Sequence, residues 1–411
     1  MPRWLAMARI PFNRPFATGD EFRYMHEAIG NRHLSGNGPF TECCCRWLRE
    51  NLGCEHALLT PSCTSALEMA MLIVDIGPGD EVIMPSFTFP TTASSVALRG
   101  AVPVFVDIRE DTLNLDERLV EAAITDRTRA ILPVHYAGVG CELDELLGIA
   151  RRHDLHLIED AAQGISAFYH GSPLGAIGDL GCLSFHETKN LTCGEGGALL
   201  VNRPHFVERA EILQEKGTDR SRFLRGQVDK YTWVELGSSF LSSDISAAFL
   251  WAQIEHAAEI LERRTAIWST YHERFAELEG DGMLRRPTVP PACGHNAHMY
   301  HLRLDRRERR DGLIATLAAG DIQALFHYIP LHSSAAGQRY GRIAGALPVT
   351  DRTSETLVRL PLWVEMAEAD VERVCAAVER ALRSSAPRLR HRDRRVPDRL
   401  AAGGVRPLAS H

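Results

Sequence analysis

Short apolar runs recur through the first half of the chain, each closed by glycine, proline or a charged pair, and several are followed by stretches with helical spacing. Residues 81–84, 102–107, 129–135, 155–160 and 198–201 read as strands, because they are compact, rich in Val, Ile and Leu, and too short for buried helices. Residues 115–124 and 244–262 carry the helical period. A helix also opens near Ser62-Cys63-Thr64-Ser65, where Ser65 and Glu68 stand at capping-box spacing. Residues 31–42 read as a polar, glycine-spaced loop between two helical stretches, in which Gly36 and Gly38 permit close backbone approach. Strand alternating with helix implies an α/β protein with a mostly parallel central sheet. Its ligands are expected at the C-terminal ends of the strands.

Length and charge narrow the class. A chain of 411 residues has room for a large domain, residues 1–272, and a smaller one, residues 273–384, followed by an arginine- and proline-rich tail, residues 385–411, expected to be disordered. A formal charge of -7 argues against a general nucleic-acid binder. No apolar run is long enough for a membrane span, and residues 1–9 are too poor in apolar sequence for a signal peptide, so a cytoplasmic protein is expected. Ten cysteines occur without a Cys-x-x-Cys spacing, which suits free thiols in a reducing compartment and predicts no metal site. Consecutive Cys43, Cys44 and Cys45 point in different directions from one element and cannot converge on an ion.

The chemistry concentrates between residues 155 and 197. The strand at 155–160 ends in Glu159-Asp160. A second apolar run leads into Ser184-Phe185-His186-Glu187-Thr188-Lys189-Asn190, and Gly194-Glu195-Gly196-Gly197 resembles a hairpin turn. Lysine occurs only at Lys189, Lys216 and Lys230, so arginine supplies the rest of the 46 basic residues. Guanidinium cannot serve as a neutral amine nucleophile, which leaves three side chains able to form an imine. Lys189, on a loop beyond the two acids at a strand end, suits an imine-forming cofactor whose ring nitrogen a carboxylate keeps protonated. His186 reads as a satisfied polar neighbour. A nicotinamide cofactor is disfavoured, because Gly138-Val139-Gly140-Cys141-Glu142-Leu143 ends in leucine and Gly36-Asn37-Gly38-Pro39-Phe40-Thr41 ends in threonine and follows no strand.

Several separated motifs stand in an order that resembles the pyridoxal-phosphate (PLP)-dependent nucleotide-sugar aminotransferases of the DegT type. They are Ser35 to Glu42, Glu159-Asp160-Ala161-Ala162-Gln163, Ser184 to Asn190, Gly194 to Gly197 and Phe326-His327-Tyr328-Ile329-Pro330-Leu331-His332, within a similarity running over residues 10–384. The resemblance implies an aspartate-aminotransferase-like fold (PLP fold type I) with a smaller α+β C-terminal domain. It implies Lys189 as the covalent anchor, Asp160 at the pyridinium nitrogen, Gln163 at the ring hydroxyl, Phe89 stacked on the ring, and Thr64, Ser65 and Ser184 at the phosphate. Ser239 stands where many relatives have an asparagine that reaches the neighbouring subunit's phosphate, a departure shared with the dideoxygalactose-type subgroup; Cys63 stands where glycine is commoner. Asn37, His327, Tyr328 and His332 fall on segments the family places near the substrate.

The basic run from Lys216 to Lys230 is expected to neutralise a diphosphate-linked sugar, with Arg222 and Arg225 as candidates. The expected partners are a nucleotide sugar, L-glutamate as amino donor, and a second copy of the chain in a homodimer with shared sites. Another keto nucleotide sugar remains an alternative substrate. A same-fold sugar dehydratase would lack the lysine, and a non-catalytic nucleotide-sugar binder would not need it.

Overall fold

Eight strands carry the site: β1 (His56–Thr60), β2 (Glu81–Pro85), β3 (Val102–Val106), β4 (Thr128–Ile131), β5 (His156–Asp160), β6 (Leu180–Ser184), β7 (Gly197–Val201) and β8 (Arg342–Ile343). The computed structural model describes residues 9–384; the tail at 385–411 and the first eight residues lie outside the described residues. Strand order is β1-β7-β6-β5-β4-β2-β3-β8, and only β7 runs against its neighbours. The mostly parallel sheet expected from the pattern is present.

Helices cover both faces, which is why the strands read as apolar runs rather than as alternations. Leu199 and Val201 of β7 pack with the helix Cys63–Ile73 on one face, while Ala198 and Leu200 pack with the helices Pro39–Leu52 and Asp244–Glu255 on the other. Each fully buried Leu or Val contributes about 1.5–3 kcal/mol. The strand at β4 ends earlier than the pattern suggests, because Pro133 has no N–H to continue the ladder. Pro133 still accepts the Asp160 N–H through its carbonyl, at 2.9 Å.

Three expected boundaries need correction. The helix after β1 is capped by Ser62, whose Oγ accepts the Ser65 N–H at 3.1 Å, so Ser65 lies inside the first turn and no capping box forms from it. The expected helix over 244–262 is two helices, Asp244–Glu255 and Ala257–Arg274, interrupted at His256. The loop at 31–42 ends at Gly38, where Pro39 starts a helix capped from afar by Asp244, which accepts from Thr41 N and Thr41 Oγ1 at 2.8 and 2.9 Å. A Cβ on Gly38 would sit 2.4 Å from the Asp244 carboxyl carbon. The close approach this glycine permits is therefore to the chain's own carboxylate.

The smaller α+β unit has a separate core. Tyr300–Arg303 pairs antiparallel with Leu357–Leu360, and the helices Arg307–Ala319 and Glu368–Ser384 pack on that pair with Trp268, Tyr271 and Phe275. Two strands of the connection are notable. Ile10, near the N-terminus, bonds to Asp321 and Gln323 of this unit, and β8 returns to the large sheet beside β3. Arg342 pins that return by a bidentate bond to Glu81 at 3.0 and 2.6 Å.

Candidate active site

Asp160 and Ser184 end the adjacent parallel strands β5 and β6, and Phe89 follows β2, so their side chains gather at the C-terminal edge of the sheet. The first turn of the helix Cys63–Ile73 closes on the same edge. Gly197 makes that possible, since a Cβ there would lie 2.4 Å from Cys63 N. β6 and β7 form a hairpin whose loop is held by Phe185 N to Gly196 O and Glu187 N to Gly194 O, both 2.8 Å, and Lys189 sits on that loop.

Glu159 and Asp160 are consecutive on β5, so they face opposite ways. Glu159 is fully buried and accepts from Gly175, Ile177 and Gly178 N–H and from His135 Nε2. His135 Nδ1 accepts the Cys141 N–H, which leaves the ring proton on Nε2 for Glu159. Burial raises the Glu159 carboxyl, but the His135 bond and the backbone donors outweigh it and hold the group below its usual range. Glu159 is scaffold; Asp160 is the acid that faces the cleft.

Asp160 is held from two sides. Thr92 Oγ1 donates to Oδ2 at 2.8 Å and Ala162 N–H to Oδ1 at 3.2 Å. Because the Thr92 proton is used on Asp160, Thr88 must donate to Thr92 Oγ1, 2.9 Å away. Burial still pushes the Asp160 carboxyl above its ordinary value. Lys189 lies within electrostatic reach of Asp160 and Cys63, and burial lowers its amine. Its Nζ has no hydrogen-bond or ion-pair partner among the described residues.

The smaller unit closes the other side. Gln163 Oε1 accepts the Ala137 N–H at 2.7 Å and its Nε2 donates to Tyr328 OH at 3.2 Å. His327 packs at a tilt against Tyr328 and bonds Tyr136 OH at 3.1 Å. Asn296 donates to the Gln163 and Ile165 carbonyls, and its amide fills the space over Gly138, where a Cβ would lie 1.9 Å from Oδ1. Gly138, at positive φ, thus serves domain docking and not a dinucleotide. Asn190 Nδ2 donates to Asn296 O, so its Oδ1 accepts the His298 Nδ1 proton at 3.0 Å. Burial holds His298 and His327 far below the usual histidine range. Both are neutral at pH 7.

The remaining sequence candidates lie in two other places. His332 bonds Ser86 at 2.8 Å and approaches Asp351 at 3.3 Å. Asn37 and Ser239 meet at Glu215: Asn37 Nδ2 donates to its carboxylate at 3.1 Å, and Ser239 pairs with its backbone. Arg222, on the short helix Arg220–Leu224, and Arg225, just past its end, are matched by Glu208 and Glu211. Sequence reasoning missed Thr92, Asn190, Asn296, His298 and Arg359, whose guanidinium also bears on Lys189 and His327. Only the Thr88/Thr92 pair left a signal, two hydroxyls four apart at a helix start.

Residues 16–379 match the DegT/DnrJ/EryC1/StrS aminotransferase family. The chain belongs to that family. It is a pyridoxal-phosphate-dependent sugar aminotransferase of fold type I. Among solved structures, the aminotransferase TlmJ from Streptoalloteichus hindustanus is 30% identical with a TM-score of 0.84, covering 92% of this chain and 100% of its own. DesV from S. venezuelae is 31% identical with a TM-score of 0.82, over 91% and 99% of the two chains. A DegT DnrJ EryC1 StrS aminotransferase from Brucella abortus is 30% identical with a TM-score of 0.80, over 87% and 94%.

The residues present fit PLP. Lys189 offers a partially desolvated, unpartnered amine. The N–H groups of Cys63 and Thr64 have no partner among the described residues, and with Ser65 and Ser184 they can hold a phosphate at a helix N-terminus. The Phe89 ring is 57% exposed, leaving a face for a planar group. Asp160 is an anchored carboxylate for a ring nitrogen.

Proposed function

We propose that the chain transfers the amino group of L-glutamate to C4 of a dTDP-4-keto-6-deoxyhexose, giving dTDP-4-amino-4,6-dideoxygalactose and 2-oxoglutarate. One observation carries the amino-transfer part of this reading: an unpartnered, burial-lowered Lys189 amine lies on the hairpin loop beside an Asp160 carboxylate held by Thr92, while the particular sugar rests on the resemblance of the motifs. When bound, PLP supplies an electron-withdrawing ring that acidifies the C–H bond next to the donor nitrogen. Asp160 keeps a proton on the ring nitrogen. Lys189 would hold the cofactor through its Nζ and, when freed, would carry a proton on that nitrogen, and burial, which lowers its pKa, favours the neutral amine for that work.

Around that centre, neutral His298, His327 and the Tyr136 and Tyr328 hydroxyls form a polar wall suited to sugar hydroxyls. His332 steadies the loop that carries His327 and Tyr328 by bonding Ser86. Arg222 and Arg225 supply the cations for the diphosphate, each exchanging its present carboxylate for the ligand. Ser239 reaches the phosphate of a partner copy in a cytoplasmic homodimer. Exposed Leu224, Trp233 and Leu236 near it support a covered apolar surface there. Among the described residues no helix is long and apolar enough to cross a membrane.

The test is incubation of the PLP-loaded chain with glutamate and a panel of 4-keto nucleotide sugars, with product configuration at C4 determined. Transfer to a different keto sugar would replace the substrate; dehydration without amine incorporation would favour a same-fold dehydratase. Lys189→Ala should lose transfer and should retain no cofactor after borohydride treatment. Unchanged nucleotide-sugar binding with no turnover of the unmodified chain would leave a non-catalytic binder.

A further inference from the structure

Away from the Lys189 cleft, the loop after β3 faces the C-terminal unit across two cavities of about 590 and 470 Å³, which share Glu110, Glu279, Arg285 and Arg303 in their walls. Arg285 and Arg303 exchange both backbone hydrogen bonds, at 2.8 and 2.9 Å. A reciprocal pair of this kind sets two side chains on one face with Cα atoms about 5.5 Å apart. Like charges directly opposite each other repel.

The surrounding acids do not relieve that repulsion. Arg109 is matched by Asp111 and Glu117, Arg118 by Asp116, and Arg286 by Glu279. Of the other acids lining the cavities, Asp305 is held by Arg306 and Arg309 at 3.8 and 3.1 Å, and Glu110 is shared by Arg352 and Arg285 at 3.2 and 3.9 Å. Arg303 is only 8% exposed, lines both cavities, and its guanidinium has no hydrogen bond or ion pair among the described residues. Burial and the neighbouring Arg285 push its pKa below the ordinary arginine value.

We propose that this cleft is an oxyanion site in which Arg303, Arg285 and Arg352 hold the phosphate group of a small ligand. Arg285, Arg303 and Arg352 have only the Glu110 carboxylate to share, and a phosphate monoester, which carries about −1.5 to −2 at neutral pH, would supply the missing negative charge. The guanidinium fork suits phosphate oxygens. Because one wall belongs to the loop after β3 and the other to the C-terminal unit, the bound group bridges the two.

Calorimetry and thermal melting of the full chain, loaded with PLP so that its phosphate cup is filled, test the site. Inorganic phosphate and glycerol 3-phosphate are titrated against chloride and succinate at matched ionic strength. One saturable site per chain is expected for a phosphate probe, and the tighter of the two identifies the free ion or the ester as the better ligand. Arg303→Met should weaken it by roughly ten- to a hundredfold. In phosphate-free buffer Arg303→Met should melt no lower than the unmodified chain, since no hydrogen bond or ion pair of its guanidinium is lost, and phosphate should raise the melting temperature only of the latter. Equal responses of the two proteins, or a response to succinate without one to phosphate, would overturn the proposal.

Discussion

Thr92 Oγ1 donates to Asp160 Oδ2 across 2.8 Å, from the first turn of the helix Pro90–Ala97 to the end of β5. This bond favours the ionised carboxylate against burial, which raises it. Thr92→Val removes the donor and keeps the shape. The acid limb of the kcat/KM profile should then move to higher pH, with a loss at neutral pH of roughly tenfold or more. Thr92→Ser should retain the unmodified profile. An unshifted acid limb in Thr92→Val would show that Asp160 does not depend on this contact.

Asp160 is also a stability liability. Its folded pKa is raised above the unfolded value of 3.8, so folding is favoured below that value and loses stability as pH rises through the folded pKa. Asp160→Asn should therefore raise the melting temperature of the cofactor-free chain at pH 7 while abolishing transfer. Melting curves from pH 3.5 to 8 should show the gain shrinking toward the acid end.

Glu81 has the opposite sign. Arg342 above all, then Thr125 and Arg127, draw this buried carboxylate down to about 2 from 4.5. Its contribution is complete above 4.5 and disappears as pH falls toward about 2. Arg342→Ala should cost roughly 2 kcal/mol at pH 7, since Arg127 keeps one bond, and should loosen β8 from β3. Urea unfolding at pH 7 and pH 3 should show the difference contracting in acid.

Phe89 leaves most of its ring in the open, so it contributes little to the core. Phe89→Ala should change the stability of the cofactor-free chain by no more than about 0.5 kcal/mol. Cofactor retention should fall by up to roughly tenfold, the worth of one aromatic contact. A dialysis experiment followed by absorbance at the cofactor band separates the two quantities; unchanged retention would remove Phe89 from the site.

Much of the sheet was legible because a strand covered on both faces is mostly apolar, as β6 and β7 are and as the centres of β2 and β5 are. The Lys189 loop was legible for another reason: in a chain with so few lysines, a primary amine after a strand end is conspicuous. Helix ends were less so. Asp244 caps a helix some two hundred residues away, and no local pattern announces a cap that arrives through space.

The chemistry of the centre, an amine and a carboxylate at strand ends, followed from residue types and their spacing along the chain. Tertiary structure alone decided which of two consecutive acids faces the cleft, by bringing His135 and the Gly175–Gly178 turn to Glu159 and Thr92 to Asp160. It alone brought Asn296 and His298 onto the Lys189 loop, at Asn190. Hydrogen bonds act over a few ångströms in space and are indifferent to separation along the chain, so period and spacing cannot disclose such partners.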